Sequence, residues 1–184
     1  MAKLVEPHGG KGLTICLLEG AELEAEKTKA AGLKKVEISP RVKGDLIMIG
    51  NGGFSPLTGF MTKADWKGVC EDFLTADGTF WPVPVTLDVS QEDADAVNVG
   101  DEIALYECEK VYMGEGTPTA EDFWKIAKED HPGVQMVMEQ KAFNLAGPVK
   151  VLSEGNYPTK YAGIYHRPSE ARKIFEDRGW SDVA

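Results

Sequence analysis

Few side chains in this sequence of 184 residues have the types and spacing that chemistry at neutral pH requires. Histidine can act as a general acid or base, and zinc sites need cysteine or histidine ligands at short, regular spacings. The three histidines and three cysteines are instead scattered: His8, His131, His166, Cys16, Cys70 and Cys108. We expect structural or surface roles for His131 and His166, and a solvated position in a flexible arm for His8. The cysteines are expected to be reduced and buried as small apolar groups.

Two further stretches could bind ions, and both depart from the pattern that binding needs. Residues 9–12 flank Lys11 with glycines but lack the full G-x-x-x-x-G-K-[ST] of a phosphate-binding loop. Residues 91–95 are acidic without the regular ligand spacing of a calcium loop, so we expect a solvated turn. Glu170 and Asp177 flank a predicted helix, where they favour its dipole or solvate its face. We assign no catalytic, cofactor-binding or metal-binding residue to the chain.

The composition excludes several classes of partner. A formal net charge of −10 argues against a nucleic-acid binder, because phosphate backbones repel an acidic surface. No apolar run approaches the roughly 20 residues that span a membrane. The N-terminus lacks a hydrophobic signal region, and the odd number of separated cysteines does not indicate a disulfide framework. We therefore expect a cytoplasmic protein that binds neither nucleic acid nor membrane.

The elements are organised around a glycine-rich apolar stretch, residues 51–61. Its three glycines and one proline require sharp turns, while its apolar residues favour burial. We expect a tightly turned connection that packs a helix against a sheet, with Phe54, Leu57 and Phe60 mostly buried. The helix that follows begins with a capping box formed by Thr62 and Asp65. Its apolar residues recur at helical spacing and predict one inward face: Trp66, Val69, Cys70 and Phe73.

The remaining pattern predicts short strands separated by turns, with a few helices. Helices are predicted over residues 20–31 and 118–128, and from Pro168 to a stop at Gly179, with Trp180 packing after it. Strands are predicted over residues 35–38, 79–89, 135–139 and 150–152, and around Ile103 and Leu105. Residues 13–18 suit a strand or a buried helical turn, and residues 46–49 a buried approach to the glycine stretch. This order favours an antiparallel barrel or sandwich over a βαβ sheet.

Four motifs in the same order resemble ATP sulfurylases (sulfate adenylyltransferases). Residues 53–61, Gly-Phe-Ser-Pro-Leu-Thr-Gly-Phe-Met, resemble the family's G-x-F-S-P-L-x-G-F-M signature. Residues 77–85, 129–134 and 146–149 resemble its D-G-x-x-W/F-P-x-P-x, D-x-x-H-P-G-V and G-G-P-V/I segments. The resemblance covers the amino-terminal portion of that enzyme. It implies an α+β fold, a PUA-like β-barrel of short, mostly antiparallel strands with flanking helices.

Two departures from the family pattern limit what the resemblance implies. Ile103 to Tyr106 runs almost directly into Glu107, so either a hairpin is shortened or a segment is missing from the chain. The chain also stops one residue short of the family's F-Q-T-R-N-P-x-H-x-x-H motif, which in that family binds sulfate and the ATP phosphates. We therefore carry over no catalytic position. The expected division is a PUA-like domain over residues 1–166, with residues 167–184 forming the helix and linker to a catalytic α/β domain.

The resemblance implies a function for a longer enzyme and a supporting role for this chain. The full enzyme would convert ATP and sulfate to adenosine 5′-phosphosulfate and pyrophosphate, with Mg²⁺ accompanying the nucleotide. This chain would itself hold no cofactor; it would pack against its own catalytic domain in what we expect to be a homo-oligomer. The alternatives are a free-standing PUA-like module that binds RNA or a small ligand, and a stand-alone metal-binding protein.

Overall fold

The computed structural model describes residues 4–107 and 139–180, and these contain both helices and short strands. The helices are α1 (Gly20–Ala30), α2 (Pro40–Gly50), α3 (Lys63–Asp72), α4 (Gln91–Asp95), α5 (Tyr157–Lys160) and α6 (Pro168–Asp177). The strands are β1 (Lys34–Ile38), β2 (Gly59–Phe60), β3 (Leu87–Val89), β4 (Ile103–Glu107), β5 (Phe143–Leu145) and β6 (Gly147–Pro148). None of these helices combines the length and apolar character needed to cross a lipid bilayer.

The described strands pair into three two-stranded sheets and do not by themselves close a barrel. Strands β2 and β6 pair antiparallel, as do β3 and β5. Strands β1 and β4 pair in parallel, from Lys34 opposite Ile103 to Ile38 opposite Glu107. Two of the three described pairs are antiparallel, as expected for mostly antiparallel strands, and the β1–β4 pair is the parallel exception. The long connection between these strands explains it, because a parallel pair needs a crossover far longer than a hairpin turn.

The core lies where α2, α3 and the short strands meet. Its buried apolar residues are Val36, Ile38, Val42, Ile49, Phe60, Met61, Val69, Trp81, Val85, Leu87 and Val89. Strand β1 contributes alternate residues, Val36 and Ile38, while Lys35 and Glu37 point to solvent. This alternation is what a half-buried strand requires.

Helix α2 is the one described helix of more than two turns that the sequence did not predict. Residues 46–49, predicted only as a buried approach to the glycine stretch, lie in its last turns. The helix begins at Pro40, and the Ser39 hydroxyl caps it by accepting a hydrogen bond from the backbone N–H of Val42, at 3.3 Å. Proline at the first helical position and serine at the N-cap are both start signals. Strand β1 ends at Ile38, and Pro40 begins α2 two residues later.

The glycine stretch forms a hydrogen-bonded turn against the core. The carboxamide oxygen of Asn51 accepts from the backbone N–H of Gly53, at 3.0 Å. The Ser55 hydroxyl donates to the carbonyl of Gly52, at 2.6 Å, and accepts from the N–H of Thr14, at 2.9 Å. Both side chains are buried. The turn therefore satisfies its own buried backbone groups and also holds the N-terminal segment.

The three apolar residues of this stretch pack on the core to different extents. Phe60 is buried, which confirms its predicted position, whereas Phe54 and Leu57 are half-buried against the core cluster. Phe54 also meets the Trp81 ring edge-on, with the centroids 5.7 Å apart. Phe54 and Leu57 thus cover the rim of the core, and Phe60 fills it.

Helix α3 confirms its predicted start but not its predicted inward face. Thr62 and Asp65 form the capping box, since each side chain accepts from the backbone N–H of the other residue. Of the predicted apolar face, Val69 is buried, whereas the other members are exposed: Trp66, Cys70 and Phe73. Phe73 ends the helix in the left-handed region, with φ of 59°. This turn of the backbone leads the chain back towards the core, while the phenyl ring of Phe73 stays exposed.

Several predicted strands are shorter than expected. Residues 13–18 and 150–152 meet only at a single parallel bridge, Leu17 with Val151. The strand predicted over residues 79–89 is reduced to β3 and a single antiparallel bridge between Phe80 and Leu74, because Pro82 and Pro84 cannot donate backbone hydrogen bonds to a partner. The predictions for residues 118–128 and for most of residues 135–139 lie outside the described residues.

The other predicted elements are confirmed. Helix α1 and strands β1 and β4 form where the sequence predicted them. Helix α6 begins at Pro168, and Gly179 follows its end in the left-handed region, with φ of 67°. Trp180 then stacks on Phe175, with the ring centroids 6.0 Å apart.

A turn stabilised by carboxylates follows α3. The Asp77 carboxylate accepts from the Thr75 hydroxyl, at 2.6 Å, and from the Thr79 N–H, at 3.1 Å. Asp65 of the capping box also accepts from the N–H of Ala76, at 2.9 Å. Hydrogen bonds to the Asp77 carboxylate from the side chains of Thr75 and Thr79, and from the backbone of Thr79, lower the pKa of Asp77 to about 2. The ionised carboxylate is thus part of the folded turn.

Gly59 should tolerate no side chain, because a Cβ added there would overlap the carbonyl oxygen of Gly147 across the β2–β6 pair. We expect Gly59→Ala to lower the free energy of unfolding by roughly 1–3 kcal/mol, since the obstacle is backbone that cannot move aside alone. The matched control is Gly44→Ala inside α2, where an added Cβ meets nothing within 4 Å. It should raise stability by about 0.5–1 kcal/mol. Urea unfolding of both variants measures this, and a neutral Gly59→Ala would refute the close approach.

The Asp77 turn should respond to acid. The pKa of Asp77 is about 2 in the folded protein against an ordinary 3.8, so its stabilising effect is complete above about pH 4. That effect is lost as the pH falls towards 2. We expect the difference in melting temperature between the wild type and Asp77→Asn to shrink over this interval. A carboxyl-carbon NMR titration gives the midpoint directly, and a midpoint near 4 would contradict the turn geometry.

Candidate functional site

The two described histidines lie apart. His8 is exposed, but its Nε2 donates to the carbonyl of Phe80, at 2.6 Å, and its ring lies 5.8 Å from that of Trp81. His8 is thus solvent-exposed as expected, but it also contacts the segment that follows the turn after α3. His166 is exposed next to Arg167. His131 lies outside the described residues.

The described cysteines carry free thiols in different surroundings. Cys16 is half-buried and its thiol donates to the carbonyl of Thr58, at 3.7 Å. Burial raises the pKa of Cys16, which disfavours the thiolate that nucleophilic chemistry needs. Cys70 is exposed, contrary to the expected burial, because it lies on the outer face of α3. Cys108 lies outside the described residues. Within residues 4–107 and 139–180, no group of three or more potential ligands could hold a metal ion.

The ion-binding candidates have structural surroundings. The positive charge of Lys11 helps to lower the pKa of Asp77. This lysine therefore interacts electrostatically with a carboxylate of the protein itself. Residues 91–95 form α4 instead of the expected turn, because the Ser90 hydroxyl caps it by accepting from the N–H of Asp93, at 3.1 Å. Glu170 accepts from the N–H of Arg167 at the start of α6, at 2.9 Å, and Asp177 pairs with Lys173 near its end, at 3.1 Å.

The most developed polar cluster is centred on Glu154, whose side chain is only 4% exposed. Arg167 donates to this carboxylate through two nitrogens, with Nε 3.0 Å and Nη2 2.7 Å from Oε2. Its third nitrogen, Nη1, donates to Glu19, at 2.7 Å. A hydrogen-bonded ion pair in which a guanidinium donates through two nitrogens to one carboxylate is among the strongest side-chain interactions at neutral pH. Both partners are charged, and the guanidinium is planar. These bonds raise the pKa of Arg167.

Tyr165 connects this pair to the glycine turn. Its hydroxyl donates to Glu154, at 2.8 Å, and accepts from the Asn51 carboxamide, at 3.4 Å. Burial and the nearby carboxylate raise the pKa of Tyr165, so the hydroxyl stays protonated and keeps donating. Asn51 itself orders the glycine turn through Gly53. The network therefore runs without interruption from the turn to the start of α6.

A cleft of about 290 Å³ lies beside the network. It is lined by Ile15, Leu17, Glu19, Asn51, Arg167 and Ser169. The Arg167 guanidinium is shared between two carboxylates, which leaves it little attraction for a further anion. The arrangement is suited to joining segments of the chain rather than to catalysis.

Local sequence signals could not identify this network. Glu19 and Arg167 are 148 positions apart, and Asn51 and Tyr165 are 114 apart. The spacing of a sequence motif can identify residues that are neighbours on one helix or strand. The residues of this network come together only when the chain is folded. The one available signal was the N-cap position of Arg167 before Pro168.

Comparison with known proteins relates the chain to one domain family and one group of enzymes. The family model described as a PUA-like domain matches residues 5–154. A sulfate adenylyltransferase of Desulfatibacillum aliphaticivorans is 67% identical over 210 residues, covering all of this chain and 50% of that protein. One of Desulfovibrio desulfuricans is 56% identical, again over the whole chain and 49% of the relative. The chain thus spans about half the length of these relatives.

The aligned stretch of 210 residues exceeds the 184 residues of this chain, so the Desulfatibacillum protein has residues there that this chain lacks. Among solved structures, a protein described as a hexameric APS kinase from Thiobacillus denitrificans superposes with a TM-score of 0.69 and 26% identity. That match covers 96% of this chain and 32% of the other. The chain belongs to the PUA-like domain family and corresponds to the amino-terminal half of sulfate adenylyltransferases.

Proposed function

We propose that this chain is the amino-terminal domain of an ATP sulfurylase, whose whole enzyme converts ATP and sulfate to adenosine 5′-phosphosulfate and pyrophosphate. The observation that carries the proposal is the 67% identity to a sulfate adenylyltransferase across the entire chain. The matched region covers the whole chain, including the core, the glycine turn and the segment that contains α6, rather than one motif.

The domain would support the reaction without carrying its chemistry. Adenylyl transfer brings two anions together and needs preorganised cationic and N–H donors around both. The residues of the cleft do not fit a nucleotide with its magnesium ion, because Arg167 is already paired with two carboxylates and Glu19 would repel phosphates. The net charge of −10 also opposes anionic substrates in general. ATP, sulfate and Mg²⁺ would therefore bind in the other half of the enzyme.

The proposal includes an organisation for the longer protein. Residues 1–166 would form the PUA-like domain, with a barrel that the three described sheets alone do not close, and residues 167–184 would lead into the catalytic domain. The hexameric state named for the Thiobacillus protein supports a homo-oligomeric enzyme. The free thiols of Cys16 and Cys70 suit a reducing compartment, in agreement with a cytoplasmic location.

The 184-residue chain alone should release no pyrophosphate from ATP and sulfate. The reason is that the donors needed around both anions would lie in the half of the enzyme that this chain does not include. The measurement is a coupled pyrophosphate assay on the purified chain. The comparison protein is the same chain fused to the second half of the Desulfatibacillum relative, which should be active.

Each result of this assay bears on a different part of the proposal. If the short chain turned over at a rate near that of the fusion, the active site would lie in the amino-terminal half, and the proposal would be wrong on this point. An inactive fusion that is folded, as judged by circular dichroism and cooperative melting, would argue against the assignment to ATP sulfurylases. The second half expressed alone is the remaining control, since its activity shows whether the amino-terminal domain is needed for turnover.

A further inference from the structure

The Glu154–Arg167 pair joins two parts of the chain that the family comparison separates. Glu154 is the last residue matched by the PUA-like domain model, and Arg167 lies 13 positions further on, at the N-cap of α6. We propose that this pair is an interdomain joint, which fixes the direction in which α6 leaves the domain and so positions the polypeptide that follows. The second part of this inference rests on the proposed function.

Arg167 can fix the direction of α6 because both its backbone and its side chain are hydrogen-bonded. Its N–H donates to Glu170 within α6, at 2.9 Å, while its guanidinium bonds to Glu154 and Glu19 on the domain. A planar guanidinium that donates through two nitrogens to one carboxylate resists rotation, unlike a lysine ammonium. The first turn of α6 is thereby oriented relative to the domain.

Burial makes the joint difficult to open. Glu154 is 4% exposed, and a buried carboxylate that loses its cation is left as an uncompensated charge. The Tyr165 hydroxyl donates to the same carboxylate, at 2.8 Å, but a neutral donor cannot replace the positive charge. The closed pair is therefore strongly favoured over a state in which α6 has swung away.

The other attachments of α6 are weaker. Arg172 donates to the carbonyl of Val5 in the exposed arm, at 2.8 Å. Ala171, Ile174 and Phe175 are half-buried, and no residue of α6 is fully buried. A helix with so little buried apolar surface gains little from packing. The ion pair is thus the main constraint on its orientation.

The joint is also connected by hydrogen bonds to the glycine turn. Tyr165 bonds both to Glu154 and to Asn51, and Asn51 orders the glycine turn at the end of α2. A displacement at Arg167 would therefore have to break contacts that reach the core. This connection is what distinguishes a joint from an ion pair at the surface.

Amide hydrogen exchange of the 184-residue chain tests the first part. Arg167→Gln should reduce the protection of the α6 amides at least tenfold, while protection in β1 and β4 stays within twofold of the wild type. The matched control is Lys173→Gln, which also removes one positive charge from α6 but breaks only its exposed pair with Asp177. It should leave protection of α6 within twofold.

Two further variants keep the test decisive if Arg167→Gln does not fold. Arg167→Lys keeps the charge without the planar fork and should give an intermediate loss of protection. Glu154→Gln removes the buried charge and should loosen α6 without unfolding the domain. Unchanged α6 protection in both would overturn the joint, as would equal losses in Arg167→Gln and Lys173→Gln.

Kinetics of the fusion to the second half of the Desulfatibacillum relative test the positioning role. Arg167→Gln should lower kcat about tenfold with KM for ATP within twofold, Arg167→Lys should recover part of the loss, and Lys173→Gln should have no effect. A loosened α6 with unchanged kcat would refute positioning. If the unsubstituted fusion is inactive, the proposed function fails, while hydrogen exchange still decides whether the joint exists.

Discussion

Buried backbone that cannot reach water must be hydrogen-bonded inside the protein, and this constraint determines the centre of the structure. The chain turns sharply between α2 and β2 at the rim of the core, with Asn51, Gly52 and Ser55 buried. Asn51 and Ser55 are buried there at 6% and 5% exposure, and their side chains satisfy the turn. Because Ser55 also binds the N-terminal segment and Asn51 binds Tyr165, both ends of the described chain depend on this one turn.

Most features that depend on neighbouring residues could be predicted from the sequence, although α2 was missed despite its local start signals. Features that depend on distant residues could not be predicted. The capping box of α3 and the proline at the start of α6 are local, and both predictions are confirmed. The inward face of α3 was wrong because periodicity shows which residues share a face but not how much of that face the core covers. The parallel β1–β4 pair and the Glu19–Arg167 contact involve residues far apart in sequence, and no local pattern specifies either.

Many side-chain hydrogen bonds and ion pairs of the described residues join parts of the domain to one another. Its carboxylates cap helices, pair with lysines or arginines, or tie a turn, as Asp65, Asp77 and Glu154 do. The motif that first indicated the family, around residues 53–61, has a structural explanation in the turn that it builds. A strong family signature can therefore mark residues required for folding as readily as residues that touch a substrate.

The position of Glu154 has an evolutionary consequence. Domains are exchanged between proteins at boundaries where few contacts cross, but here the family boundary lies on one side of a buried ion pair. A recombination event that joined this domain to a new partner directly after Glu154 would leave a carboxylate inside the protein without its cation. Only exchanges that carry the segment through Arg167 along with the domain would keep that carboxylate paired with its cation. The unit available for inheritance is thus longer than the stretch that the PUA-like family model matches.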